Sequence, residues 1–224
     1  MKKANLAVLA LLVVAFSCKK SDSTPTPPAA AVTYMALSAS STRTYETQNN
    51  VTVTTTSNVL TSTSRDSIIG GKTYHVFTNS NGTANDYYNI SGSDYYTYKV
   101  LAAGLGINAM ETIYLNDNTA VNGNWSQTIN IPVTGFPAPI PATFTNTVTE
   151  KGINRTVNSI VYSNVIHTTT TISVTGLPVG SITTDIQSYY APNVGLIENK
   201  YKVSIPSLTI NSDQTTILKS AVIL

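Results

Sequence analysis

The feature that most constrains this chain is a close succession of short runs in which β-branched or aromatic residues alternate with polar ones. Such side chains fit the pleated surface of a strand, and an alternating run buries one face of a sheet. We find no segment of about ten or more residues with an apolar stripe at the helical period. The sequence therefore predicts an all-β domain with at most a short helix.

Turn signals predict how these strands are connected. Ile68-Ile69 is followed by Gly70-Gly71 and a new strand at 73–79, and strands at 86–90 and 95–100 flank Ser91 to Asp94. Both are hairpin signals. The remaining predicted strands are 42–47, 51–64, 112–115, 125–131, 143–150, 156–162, 165–175, 182–190, 195–203, 208–210 and 216–223. Strands this closely spaced favour an antiparallel meander sheet that curls into a half-barrel, a barrel or a sandwich.

Two proline-containing segments interrupt the alternation. Residues 132–142 carry four prolines, which predicts an edge or a loop. Residues 133–137 (VTGFP) are echoed by residues 174–178 (VTGLP). If these are equivalent loops at one rim, Phe136 and Leu177 form an apolar lip that contacts a ligand or a partner. The alternatives are a chance recurrence, or two loops that fold their apolar residues back into the core.

The beginning of the chain predicts its destination. Lys2 and Lys3 precede an apolar run of thirteen residues, 4–16, interrupted by Asn5, and Ser17 and Cys18 follow. The run is too short to span a bilayer and is typical of a secretory signal peptide. With Ala15 to Cys18 it resembles the lipobox of bacterial lipoproteins. That resemblance implies cleavage before Cys18 and lipid attached to its sulfur and amino group; the alternative is an ordinary signal peptide with a chance cysteine.

The segments predicted from this pattern are a signal peptide at 1–17, a lipidated and disordered Pro/Ser/Thr tether at 18–32, and one β domain at 33–224. Several acyl chains hold a protein stably on a membrane. Lys19 and Lys20 stand where the aspartate that retains lipoproteins at the inner membrane would be, so the resemblance implies an outer-membrane address on either face. Cys18 is the one cysteine, which excludes an intramolecular disulfide.

The charge balance limits the partners. The chain has 13 Lys and Arg against 11 Asp and Glu, and removing Lys2 and Lys3 with the signal peptide leaves 11 of each. A neutral domain has no basic field for nucleic acid, whose phosphates dominate protein affinity. The predicted partners are the membrane, through Cys18, and a hydrophobic or glycan ligand. The oligomeric state is left open, and no cofactor is predicted.

The folded part resembles a group of uncharacterised β-rich Gram-negative lipoproteins. The resemblance rests on residues 189–198 (YYAPNVGLIE) and on Gly123-Asn124-Trp125, and it spans about residues 74–203. Some of those proteins are similar to the curved half-barrels of the carriers LolA and LolB. No catalytic residues come with the resemblance. Trp125 opens an apolar-alternating strand, and we predict that it is buried near Tyr189 or Tyr190.

The chemistry-bearing residues form no local catalytic motif. His75 and His167 each lie in a predicted strand, and the chain has no HExxH, CxxC or GxSxG pattern. A Ser–His–Asp triad is a geometric arrangement that sequence alone does not rule out. We therefore predict no enzyme activity, no catalytic residues and no metal site.

Tyrosine clusters and two short triplets suggest surface roles. Tyr87, Tyr88, Tyr95, Tyr96 and Tyr98 form either a sugar-stacking surface, with Tyr95 and Tyr96 as contacts, or structural cross-strand pairs. The triplets at 22–24 and 66–68 resemble bacterial O-glycosylation acceptors, which makes Ser23 and Ser67 candidates for modification.

The sequence is compatible with three functions. The first is a non-enzymatic, membrane-anchored envelope lipoprotein that binds a hydrophobic or glycan ligand, which requires a cavity within the sheet. The second is a structural or adhesive envelope protein, with a filled core and an exposed apolar patch. The third is a hydrolase, with a histidine and an acid converging in a cleft.

Overall fold

A computed structural model describes residues 32–99, 109–131, 138–176 and 180–224. The chain divides into two units, Met1–Ala31 and Val32–Leu224, and the described residues belong to the second. Within them, no helix is long and apolar enough to cross a membrane.

Twelve strands account for most of the described residues, in agreement with the predicted all-β class. They are β1 (Thr42–Asn49), β2 (Thr54–Ile69), β3 (Lys72–Asn79), β4 (Asp86–Ser91), β5 (Asp94–Lys99), β6 (Met110–Asn116), β7 (Asn124–Ile131), β8 (Ile140–Val157), β9 (Ile160–Val174), β10 (Thr183–Ala191), β11 (Gly195–Ile205) and β12 (Ile210–Val222). The one helical element described is a 3₁₀ turn at Pro206–Leu208.

The strands form one antiparallel sheet in the order β6-β5-β4-β3-β2-β1-β12-β11-β10-β9-β8-β7. Every ladder joins strands adjacent in the chain except β1–β12, which joins two six-stranded meanders. The sheet curls until its outer strands, β6 and β7, lie side by side, and this gives a nearly closed barrel. We call the end with the turns at 70–71, 92–93, 158–159 and 192–194 the base, and the end with the turns at 50–53, 80–85 and 206–209 the rim.

The seam between β6 and β7 is held by side chains and not by a backbone ladder. In the described residues, Trp125 Nε1 of β7 donates to the carbonyl of Ile113 at 2.9 Å, and Gln127 Nε2 donates to that of Glu111 at 2.6 Å. Trp125 is half-buried and packs against the core cluster that contains Tyr190. The predicted contact with Tyr189 or Tyr190 stays a prediction, and the predicted burial is incomplete because Trp125 lies on an edge strand.

Replacing Trp125 by phenylalanine tests the seam. The ring stays apolar but loses the donor to Ile113, so we expect the free energy of unfolding to fall by about 1–2 kcal/mol. Amide hydrogen exchange in β6 should accelerate more than in β11, which has a ladder on both sides. An equal increase of the exchange rate in β6 and β11 would contradict a local role of Trp125 at the seam.

The base is filled by the segment that leads into β1. Tyr34 and Met35 belong to the main core cluster. The backbone N–H of Tyr34 donates to the Tyr95 hydroxyl at 3.0 Å, and that of Ala36 to the carbonyl of Asn193 at 3.0 Å. The segment also approaches the β10–β11 turn closely. Gly195 in that turn has φ +93°, and a Cβ atom added there would lie 2.9 Å from the sulfur of Met35. The base end of the barrel is therefore packed.

Arg43 is buried beneath this segment, with no exposed surface. Its guanidinium donates to the backbone carbonyls of Ala36, Val194 and Asn193, and Nη1 has no partner among the described residues. Burial lowers the pKa of Arg43. The side chain thus ties the entering segment and the β10–β11 turn to the barrel wall.

The predicted division of this region into strands at 143–150 and 156–162, with a turn between them, is wrong. β8 continues through this region with three register shifts between Val148 and Arg155, and the turn lies at Asn158-Ser159, both with positive φ. Two such residues make the hairpin turn that matches strand twist, and Gly152, at φ +74°, is absorbed in the irregular part of the strand. Asn158 Nδ2 then donates to the carbonyl of Lys219 at 2.9 Å, so the bent tip of this hairpin packs against β12.

Two further expectations need correction. The predicted strand at 208–210 is a 3₁₀ turn followed by the start of β12, because Pro206 occupies its first position and Thr209 adopts a left-handed conformation. The proline-rich segment was predicted as an edge or loop, yet Pro141 lies in β8, an interior strand of the sheet. Pro141 is tolerated there because it lies at the start of the strand, before the ladder with β9 begins at Ala142.

Candidate functional site in the barrel interior

The barrel encloses a half-open cavity of about 740 Å³ above the packed base. Its apolar and aromatic lining residues are Met35, Tyr45, Leu60, Tyr88, Tyr114, Tyr190 and Leu196. Its polar lining residues are Thr47, Thr56, Asn58, Asn81, Asp86, Thr97, Lys99, Thr112, Asn199, Gln214 and Thr216. The cavity is large enough for a small-molecule ligand.

Tyrosines form the floor of this cavity. The rings of Tyr88 and Tyr114 meet edge to face, with centroids 5.9 Å apart, and Tyr114 also packs against Tyr190 at 5.6 Å. Tyr45 lies beside them, and its hydroxyl donates to the carbonyl of Leu196 at 2.9 Å. The floor therefore offers ring surface to a ligand and is fixed by its own packing.

Burial keeps the floor tyrosines neutral. It raises the pKa of Tyr88 and Tyr114 well above the ordinary value, and that of Tyr190 to about 12. The hydroxyls of Tyr88 and Tyr114 therefore remain protonated over the physiological pH range and keep their donor capacity.

Hydroxyl and amide side chains line the wall above the floor. Cross-strand partners place them in rows, as with Thr47 and Thr216, whose Oγ1 atoms are 2.9 Å apart. Thr97 is 3% exposed and its Oγ1 has no hydrogen-bond partner in the described residues. A buried, unpaired hydroxyl costs stability, and this oxygen is enclosed by the protein and not open to the cavity.

The charged lining residues lie at the rim. Asp86 begins β4 and Lys99 ends β5, so both occur where their strands reach the rim. Threonine, asparagine and glutamine supply the rest of the polar lining. This composition suits an uncharged ligand rich in hydroxyl or amide groups.

Tyr95 and Tyr96 point to opposite sides of the sheet. Tyr95 is 1% exposed, and its hydroxyl donates to Asp117 Oδ2 at 2.8 Å and accepts from the N–H of Tyr34. Tyr96 is half-buried, and Lys72 Nζ lies 4.0 Å from the centroid of its ring. These contacts favour the structural interpretation, and the tyrosines exposed to the cavity are others, on β1, β4, β6 and β10.

Several predicted sites lie outside the described residues. They are Cys18, Ser23, Phe136 and Leu177. The strands that precede Phe136 and Leu177, β7 and β9, run in the same direction and both end at the rim. Ser67 is half-buried in β2 opposite Tyr74, and its modification stays a prediction.

A serine, a histidine and an acid converge at a distortion of β2. Ser62 Oγ lies 2.9 Å from His75 Nε2, and His75 Nδ1 lies 3.0 Å from Asp66 Oδ1. The register shift between Ser62 and Asp66 brings both residues to the same histidine. These distances match those of a catalytic triad.

This cluster lacks the solvent access that the nucleophile of a hydrolase needs. Ser62 is 1% exposed, and its hydroxyl also lies 2.9 Å from the carbonyl of Leu37. Its backbone bonds to Ser40 and Ser41 on the entering segment. The nucleophile would therefore lie under that segment, so the cluster's evident role is to fasten residues 37–41 to β2 and β3.

The second histidine belongs to a stack of rings and charges on another part of the sheet. His167 stacks on Tyr189 with centroids 4.1 Å apart and an interplanar angle of 9°, and its Nδ1 lies 2.8 Å from Glu150 Oε2. Arg155 lies 4.1 Å from the centre of the same tyrosine ring and forms two hydrogen bonds with Glu198. Among the described residues, no group of three or more His, Cys, Asp or Glu is arranged to hold a metal ion.

Sequence reasoning missed the cavity residues for an identifiable reason. A threonine or asparagine in an alternating strand has the same signature whether its polar face meets solvent or a barrel interior. Which polar face is interior depends on closure of the sheet, and closure rests on β1 pairing with β12 and on two side-chain contacts at the seam.

Comparison with known proteins gives fold-level similarity alone. No protein-family model matches the chain, and no curated protein matches it significantly. A predicted lipoprotein of Parabacteroides distasonis has a similar solved structure, with a TM-score of 0.48, 9% identity, and coverage of 86% of this chain and 99% of that chain. A predicted exported protein of Bacteroides fragilis with a YmcC-like fold has a TM-score of 0.42 and 9% identity, over 86% of this chain and 100% of that chain. These values assign neither a family nor a function.

Proposed function

We propose that this protein is a non-enzymatic binding module of the bacterial envelope, anchored by lipid on Cys18, whose barrel interior binds a neutral, hydroxyl-rich ligand of the glycan class. The single observation that carries the ligand class is the cavity, with its tyrosine floor and its wall of threonine and amide side chains. The anchor, and an outer-membrane location, are supported by the lipobox-like run before Cys18 and the lysines after it.

The lining favours a glycan over a purely hydrophobic ligand. A pocket for an apolar molecule is lined mainly by apolar side chains with few polar groups. Here polar residues outnumber apolar and aromatic ones. Some of them are paired within the protein, as Thr47 is with Thr216, but an acyl chain would offer no hydrogen bond to any donor or acceptor that water satisfies in the empty cavity. A sugar ring can pack one face on a tyrosine and bond to the surrounding side chains with its edge.

The two other candidate functions have weaker support. A structural or adhesive protein has no use for an unfilled interior of this volume. A hydrolase would need a solvent-accessible nucleophile, whereas Ser62 lies beneath the entering segment.

Ligand titration with a matched pair of variants tests the proposal. Neutral oligosaccharides of glucose and of N-acetylglucosamine are titrated by calorimetry, with a long-chain fatty acid as the apolar competitor. We expect an oligosaccharide to bind, and Thr112→Val to weaken that binding about tenfold by removing the hydroxyl of a half-buried residue that lines the cavity. Because valine keeps the shape and the β-branching of threonine, the same change should alter the free energy of unfolding by no more than about 0.5 kcal/mol.

Thr171→Val is the control, since Thr171 is an exposed threonine on β9 that does not line the cavity. It should alter neither affinity nor stability appreciably. Binding of the fatty acid but of no oligosaccharide would contradict the glycan proposal. Equal loss of affinity in the two variants would show that the cavity is not the binding site.

A further inference from the structure

Among the described residues, exposed apolar side chains are concentrated at the base of the barrel. The large apolar residues exposed in the described part of the chain are Val32, Val51, Val53, Ile68, Val121, Ile160, Val161, Val222 and Leu224. Val51 and Val53 lie in the rim turn between β1 and β2. The other seven lie at base turns or at strand and segment ends that reach the base. We call these seven residues the base surface.

A groove adds to this surface. It has a volume of about 520 Å³ and lies where the entering segment meets the last residues of the chain. Its lining residues are Thr33, Met35, Ala36, Leu37, Ser38, Ile90, Asn193, Ile223 and Leu224. The lining is mostly apolar, in contrast to the polar wall of the cavity at the opposite end. In the part of the chain that the structure describes, the two ends of the barrel therefore differ in chemistry.

The chain reaches its predicted lipid from this same end. Val32 is the first described residue and precedes the segment that fills the base, and Cys18 lies fourteen residues before it. Fourteen residues span at most about 50 Å, while the 13 residues of β12 extend over roughly 40 Å. A tether of that length does not by itself determine which end meets the membrane, so the surface chemistry must supply the preference.

We propose that the base surface docks on the lipid bilayer and directs the mouth of the cavity away from the membrane. This rests on the proposed lipid anchor at Cys18. Apolar side chains that are kept beside a bilayer enter the boundary between headgroups and acyl chains, and each anchored copy has a high effective concentration there. The mature chain has as many acidic as basic residues, so the preference comes from apolar area and not from a basic field.

Site-specific quenching tests the orientation in the full lipidated protein. With the sulfur of Cys18 blocked by lipid, one introduced cysteine is the single reactive thiol. Ile68→Cys and Val161→Cys report on the base, and Val53→Cys, 78% exposed at the rim, is the matched control. Each variant carries the same fluorophore on vesicles of phosphatidylethanolamine and phosphatidylglycerol that contain a spin-labelled lipid.

Base labels should be quenched at least about twofold more than the rim label, because an interfacial segment is buried roughly 5–10 Å into the boundary region. Equal quenching at all positions, or stronger quenching at the rim, would overturn the docking surface while leaving the anchor intact. Shielding of the base labels that depends on protein concentration and not on vesicles would overturn it in favour of a protein contact. Mass spectrometry of residue 18 reports separately on the anchor, and an unmodified Cys18 would overturn both.

Discussion

Arg43→Ala is expected to lower the free energy of unfolding by about 3–5 kcal/mol, the largest stability loss among the variants considered. The substitution removes the donors to the carbonyls of Ala36 and Val194, and it leaves a cavity where a fully buried side chain stood. The carbonyl of Asn193 keeps its bond from the N–H of Ala36. Each unpaired buried carbonyl costs about 1–3 kcal/mol, and relaxation of the entering segment recovers part of the loss.

Urea denaturation of the variant measures this effect directly. Arg65→Ala is the control, because Arg65 is exposed and its loss should change stability by no more than about 0.5 kcal/mol. Arg43→Lys should fall between the two, since an ammonium retains the charge but cannot reach the carbonyls with the same planar geometry. A loss for Arg43→Ala no larger than that for Arg65→Ala would show that the entering segment is held by its other contacts.

Cys18→Ala is expected to move the protein from the membrane fraction to the soluble fraction, or to leave it uncleaved with its signal peptide. Lipid anchors contribute about 0.8 kcal/mol for each buried methylene, so removing every acyl chain abolishes stable attachment. Fractionation of cells shows whether the protein has left the membrane, and the intact mass of the recovered protein shows whether the signal peptide was removed.

Ser21→Ala is the matched control for that experiment. Ser21 lies three residues after Cys18 in the predicted tether, and its substitution changes the same region without touching the modified sulfur. It should remain with the membrane and carry the same lipid mass. A Cys18→Ala protein that is cleaved normally and stays membrane-bound would contradict lipidation at this residue.

The architecture could be predicted to a large extent because local signals agree with the final sheet. Gly70-Gly71 forms the predicted two-residue hairpin, with Ile69 opposite Lys72, and Ser91 pairs with Asp94 as the turn sequence indicates. Each of these turn signals involves only a few residues. Because such turns join neighbouring antiparallel strands, they are enough to predict a meander sheet. The turn at Asn158-Ser159 was missed because Gly152 offers a stronger apparent signal inside a strand.

The candidate site could be predicted less well, since it depends on contacts that are distant in sequence. Tyr88 and Tyr95 have similar sequence surroundings, yet Tyr88 lines the cavity. The hydroxyl of Tyr95 instead forms hydrogen bonds with Asp117 and with the N–H of Tyr34. No short-range rule separates them. Likewise, the convergence of Ser62, Asp66 and His75 requires an irregularity in β2 that no turn residue marks.

The pairing of β1 with β12 also has a consequence for how the chain folds. The other ladders connect strands adjacent in sequence, so each six-stranded meander can form through local contacts. The step that joins them brings together Thr47 and Thr216, which are 169 residues apart, and it must overcome the entropy of closing a long loop. We therefore expect the two halves to acquire structure before they meet, with the cavity appearing when that last ladder forms.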